Sequence, residues 1–255
     1  FGMKPSCEDE VIAQWREMHH RVLEAVPVPG MESDEAFHAQ QNARLVRNAE
    51  AYYRTMFSGR VSSWNLRDSH MVETLQALER HMQGHCIAPR IAVWAHNSHL
   101  GNAAATEMGA KGEWNVGQLA RERWGANMVA IGFSTHHGSV TAATQWDSPA
   151  QRRRVWNGLP GSYEALFHQT EVPRFWLPLR DDQALRRLLS EPKLQRAIGV
   201  IYHPQTERQS HYFHTHLPTQ FDALIHIDET RALVPLEKDV GWTHGEVPET
   251  FPSGL

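Results

Sequence analysis

The 255 residues are 41% hydrophobic, enough to bury the core of one large domain or two small ones, and one is the simpler expectation. The net charge of −4, with both signs interspersed, leaves no electrostatic footprint for nucleic acid or an anionic membrane surface, so small or neutral ligands are the expected partners. Cys7 and Cys86 are too few for a disulfide framework and too far apart for a CxxC motif, which fits a reducing, cytoplasmic compartment.

No apolar run approaches the roughly 20 residues needed to span a bilayer, and the N-terminus lacks a signal-peptide pattern. The chain opens on Phe1, Gly2 and Met3 and enters a helical pattern almost at once, which places the expected start of the gene product upstream. Ser6 and Asp9 form a capping-box-like start to a first helix carrying Val11, Ile12, Trp15, Met18 and Val22, ended by Pro27, Pro29 and Gly30. A second helix is expected from about Glu35 to Phe57, with Leu45, Ala49, Tyr52 and Met56 on one face. A third follows Asp68, with Met71, Leu75, Leu78 and Met82. All three are amphipathic and therefore expected to pack against something.

From Pro89 the pattern changes to short apolar runs alternating with helical stretches, as in βα units feeding a mainly parallel sheet. The candidate strands are Ile91–Ala95, Met128–Phe133, Arg174–Leu179, Ile198–Tyr202 and Ala223–Ile227. Between them lie a helix capped by Asn115 and closed by Gly125, one starting near Ser162, and one beginning at Asp181. The expected fold is α/β, a mainly parallel sheet with flanking helices preceded by an amphipathic helical region. With no linker or repeat visible, residues 1–88 and 89–255 are expected to share one core.

In open α/β sheets, chemistry collects beyond the carboxyl ends of the strands. Three candidate strands deliver histidines there: His96 and His99 with Asn97, then His136 and His137, then His203, followed by Glu207, Arg208 and His211. Histidine exchanges protons near neutral pH and ligates metals when neutral. With 17 histidines in the chain, several must simply be exposed or capping residues, among them His19, His20, His38, His81 and His85. There is no GxSxG elbow, HExxH, Walker A loop or GxGxxG. His211, His214 and His216 have ligand-like spacing, but i, i+3, i+5 is not a standard zinc pattern.

The runs WAHNSHLGNAAATEMG from Trp94, NVGQLARERWG, GFSTHHGSVTAA, LPGSYEALFH, VIYHPQTERQSHYF and ALIHIDETRAL, with CEDEV near the start and WNLRDSHM from Trp64, resemble the erythromycin esterase family. The match runs from about Cys7 to the closing PETFPSGL in family order and spacing. The resemblance implies a hydrolase in which a histidine activates water for attack on an ester or macrolide lactone carbonyl, with no metal or cofactor required. In the family the general base lies in an N-terminal G-E-x-x-H-G segment, faced across the cleft by an HNxH pair, here His96 and His99.

That segment is absent from this sequence, since His244 and Gly245 follow Gly241, Trp242 and Thr243. The expectation is that an upstream segment of the same protein, or a companion chain, completes the site. His96 and His99 are then the catalytic candidates, as oxyanion donors and, for His96, as proton donor to the leaving alkoxide. Asn97, His136, Glu207 and His211 are candidate substrate-binding residues on the same strand ends. Arg67 and Asp68 open the third helix as read here, either as a cap with its ion-pair partner or as cleft residues, with Arg67 holding a carboxylate. Two other readings stay open: a non-catalytic ligand-binding module of the same fold, and a metal-dependent hydrolase using the histidine-rich strand ends.

Overall fold

A computed structural model describes residues 13–14, 17, 34–56, 60–85, 88–146 and 148–234, which fall into two compact units divided between Trp94 and Ala95. Of the first expected helix only Ala13, Gln14 and Glu17 are described, all helical; Ser6, Asp9, Val11, Ile12, Trp15, Met18 and Val22 lie outside the described residues.

The first unit contains two long helices, α1 (Asp34–Met56) and α2 (Arg60–Gly84). They run antiparallel, since Asp34 meets His81 at 2.9 Å and Asn48 meets His70 at 2.7 Å. Phe37, Ala43, Val72 and Ala77 are buried, and the Phe37 ring stacks on His81 at 4.2 Å. Leu45, expected on the packed face, is exposed. The expected start of the third helix is corrected by two turns: α2 begins at Arg60. No proline or glycine interrupts Arg60–Arg67, and the polar Ser62, Ser63 and Asn65 hide its apolar periodicity. No described helix is long and apolar enough to cross a membrane.

Among the described residues the second unit holds three small sheets. In the first, β1 (Ile131–Ser134) pairs parallel with β7 (Ala223–Ile227), which pairs antiparallel with β4 (Arg174–Pro178). In the second, β2 (His137–Ala142) lies antiparallel to β3 (Gln151–Val155) and parallel to the short β8 (Glu229–Thr230). β5 (Lys193–Arg196) and β6 (Tyr212–Thr215) form an antiparallel pair. The α/β class holds, but the expectation of a mainly parallel sheet is overturned, because three of these five pairings are antiparallel. The segments QRRRV, KLQR and YFHT carry no continuous apolar run, so the pattern that found β1, β4 and β7 passes over them.

Two expected strands do not form. No described strand covers Ile91–Ala95, where the apolar Ile91, Val93 and Trp94 side chains are exposed instead of packed on a sheet face. Ile198–Tyr202 is reduced to one parallel bridge, Ile201 to Ala143, with Gly199 interrupting the run.

Five short helices set the site: α3 (Asn97–Leu100), α4 (Glu107–Ala110), α5 (Val116–Trp124), α6 (Tyr163–His168) and, later in the chain, α7 (Gln183–Leu188). They are followed by α8 (Glu207–Ser210) and α9 (Leu217–Gln220). Asn115 caps α5 and Gly125 ends it, as the sequence predicts; Ser162 caps α6, and the cap of α7 is Asp182, one residue beyond the expected start. The core gathers Ala130, Tyr163, Phe167, Leu179, Leu189, Leu217, Phe221 and Leu224. Asp222 ties it at the entrance to β7, accepting from the Ala130 N–H at 2.7 Å, from Arg180 Nε at 2.8 Å and from Arg121.

Candidate active site

The HNSH segment forms α3. His96 is its N-cap: Nδ1 accepts the Ser98 N–H at 3.2 Å, which leaves the proton on Nε2, and that N–H donates to the Ile198 carbonyl at 2.9 Å. Displacement of water by the surrounding protein lowers its pKa, with the Ile198 bond acting the other way and His99 adding repulsion, so the ring is neutral at neutral pH. The Asn97 carboxamide pairs with Phe133 on β1 in both directions, donating to its carbonyl at 2.6 Å and accepting its N–H at 3.1 Å. That is the pattern a neighbouring strand would offer, and it fixes α3 to the edge of the sheet. His99 lies half-buried within α3.

Asn115 holds the segment from behind. Its Oδ1 accepts from the Gln118 and Ala103 N–H groups, while its amide donates to the Ser98 and Gly101 carbonyls at 2.7 and 2.6 Å. At Gly117 a Cβ would lie 2.0 Å from the Leu100 carbonyl oxygen, so only glycine lets α5 approach α3 this closely.

Glu207 is buried, its Oε1 accepting from Arg196 Nη1 at 2.8 Å and from the Tyr202 hydroxyl at 2.6 Å. Burial first, then Glu207, pushes the Tyr202 hydroxyl above its usual range, so it stays a donor. Arg196 also donates to the carbonyls of Trp156, Thr135 and His136. Burial opposes its charge, but Tyr212 and Glu207 raise its pKa on balance. His211 gives its Nδ1–H to the Ala197 carbonyl and takes the His203 N–H on Nε2, so both nitrogens are committed within the fold. His214 and His216 turn to Glu107 and Thr219, so the trio with ligand-like spacing does not converge.

A second group forms where β1 ends. His136 is buried, its ring stacked on His168 with centroids 3.8 Å apart and planes 4° from parallel, and its Nδ1 lies 3.1 Å from that of His137. Burial, then the neighbouring His168, pushes its pKa down to about 4. His168 Nδ1 sits 2.9 Å from both carboxylate oxygens of Asp228.

The second unit thus brings six of the expected residues onto linked supports: His96, Asn97 and His99 on α3 against β1, and His136 and Glu207 bridged by Arg196, with His211 beside Tyr202. Arg67 and Asp68 lie in the first unit, inside α2 and not at its start, so Asp68 is not the cap of that helix. Asp68 is fully buried, and Arg67 lies over the Trp64 ring at 4.8 Å with Nε 3.8 Å from the Asp68 carboxylate. Arg196, His168 and Asp228 went unsingled by sequence reasoning. The last two stand in the quoted LPGSYEALFH and ALIHIDETRAL runs, which were the available signal.

The family model for erythromycin esterase matches residues 2–230. The chain belongs to the erythromycin esterase family. Among solved structures this family member is similar to a Bacillus cereus protein, with TM-score 0.73 and 20% identity over 90% of this chain and 54% of that one. It is also similar to a succinoglycan biosynthesis protein, with TM-score 0.69 and 17% identity over 90% of this chain and 52% of that one. A variant of the erythromycin esterase EreC in its open conformation matches with TM-score 0.59 and 16% identity, over 89% of this chain and 54% of that one. At these identities the likeness is one of fold, and the erythromycin esterase-family chain described here spans about half the length of each of these proteins.

Proposed function

We propose that this chain supplies one wall of an ester- or lactone-hydrolysing site. In this reading an upstream segment of the same protein, or a companion chain, brings the histidine that activates water, and His96 and His99 face the carbonyl under attack. The observation that carries the reading is the state of His96: a neutral ring with its Nε2–H held on a main-chain carbonyl, at the start of a helix pinned to a sheet edge. On substrate binding that N–H exchanges the Ile198 carbonyl for the developing oxyanion. A positioned donor of this kind is worth about 3–4 kcal/mol in the transition state.

Asn97, Glu207 and His211 act in that wall through the elements they hold, and Arg67 offers a planar donor for a carboxylate on the helical unit. A macrolide lactone is one substrate that fits the family name. In the complete protein, His96→Ala is expected to lower kcat by about 10²–10³-fold with an unchanged circular dichroism spectrum. Near-normal turnover in that variant would sink the assignment.

A further inference from the structure

Among the described residues, His136, His137, His168 and Asp228 each offer one donor atom within 4.8 Å of all the others. They come from three stretches of the chain: the adjacent His136 and His137 where β1 turns into β2, the last residue of α6, and the position just beyond β7. We propose that these four side chains form a tetrahedral site for a divalent transition metal, Zn2+ above all, that locks this corner of the second unit. The inference is independent of the hydrolytic reading, and no step of ester cleavage passes through the metal.

Zinc bonded at about 2.0–2.1 Å to four ligands in a tetrahedron has ligand–ligand edges of about 3.4 Å. Three of the edges bracket that value: 2.9 Å from His168 to either Asp228 oxygen, 3.1 Å between the Nδ1 atoms of His136 and His137, and 3.9 Å from His137 to Asp228, and the His136 ring, face to face with His168, turns out of that stack to bring its nitrogen to the ion. Three imidazoles and one carboxylate are borderline donors suited to zinc rather than to calcium or magnesium. Four protein ligands leave no open coordination position, which makes the site structural.

The surroundings are built as metal sites are. Ser134 Oγ lies 2.8 Å from His226 Nδ1, and Nε2 of the same fully buried ring lies 3.3 Å from Asp228 Oδ1. A hydroxyl donating to Nδ1 puts the His226 proton on Nε2, aimed at the carboxylate, and such outer hydrogen bonds orient a ligating group. The other convergent group, Asp34, His81 and His85, has three members, and His85 Nδ1 is already on the His81 carbonyl.

The test is titration of the metal-stripped full chain, purified without a polyhistidine tag, with Zn2+ by calorimetry and with Co2+ by visible absorption. One Zn2+ per chain, a ligand-field spectrum of tetrahedral Co2+ and a Zn2+-dependent rise in Tm are expected. His168→Ala and His137→Ala alter partly exposed rings and should each weaken Zn2+ binding by more than about 100-fold, whereas Ser134→Ala, acting through His226, should weaken it by about 10-fold. Asp228→Asn, which keeps the shape of the side chain, should abolish the Co2+ spectrum. The proposal is overturned by the absence of stoichiometric binding. It is equally overturned by binding that survives these variants and disappears in His81→Ala.

Discussion

His96 combines two duties, capping α3 through Nδ1 and presenting a proton on Nε2, and the two have separable consequences. Its pKa is lowered, so the neutral form persists to more acid pH than a free histidine with its value near 6.5 allows. In the complete enzyme the acid limb of kcat assigned to this ring therefore falls below pH 6.5. A limb above 6.5 that vanishes in His96→Gln would contradict this assignment. At the same scale Glu207 is a committed ion-pair partner of Arg196, and breaking one side of so buried a pair is costly. Glu207→Ala is expected to destabilise the chain by about 3–5 kcal/mol, read from urea unfolding.

At the scale of elements, the wall depends on α5 and on the entrance to β7. Asn115→Ala removes a helix cap and strands the part-buried Ser98 and buried Gly101 carbonyls, at a cost of about 2–4 kcal/mol, and should lower kcat by loosening α3. Asp222 holds β7 to β1 and β4. Burial alone would raise its pKa, but the Ala130 N–H and the Arg180 and Arg121 guanidinium groups keep it below the usual carboxylate value. The unfolded chain therefore binds the proton first as pH falls. The stability Asp222 contributes is complete above about pH 4 and is lost as pH drops through its lower native value. Asp222→Asn should flatten the stability profile below pH 4, and an unchanged acid limb in that variant would remove Asp222 from the account.

Elements that announce themselves locally were legible in the sequence. Asn115 and Ser162 as caps, Gly125 as a terminator and the apolar Ala223–Ile227 strand all follow from side-chain chemistry acting over a few residues. Gln151–Val155 and Lys193–Arg196 were not legible, because a polar strand is specified by its partner across the ladder, and the partner is chosen in three dimensions. The site divides the same way. His96, Asn97 and His136 stand beside recognisable motifs, whereas Arg196 matters because it reaches carbonyls 40 to 61 residues away. Asp68 was misplaced because an aspartate before an apolar stretch looks like a cap, and only the continuous Arg60–Gly84 helix shows it inside.

At the scale of the molecule, membership of the erythromycin esterase family rests on a match over residues 2–230, while the chain spans about half the length of the solved structures it is similar to. Under the function proposed above, this chain supplies the donor wall, and a G-E-x-x-H-G segment outside it activates water. The measurement that bears most directly on this division is hydrolysis of a simple ester and a lactone by residues 1–255 alone, compared with the same residues joined to such a segment. The account predicts no turnover above buffer for the chain alone and turnover that depends on His96 when the segment is present. Full turnover by the isolated chain would place the general base within it and contradict the division.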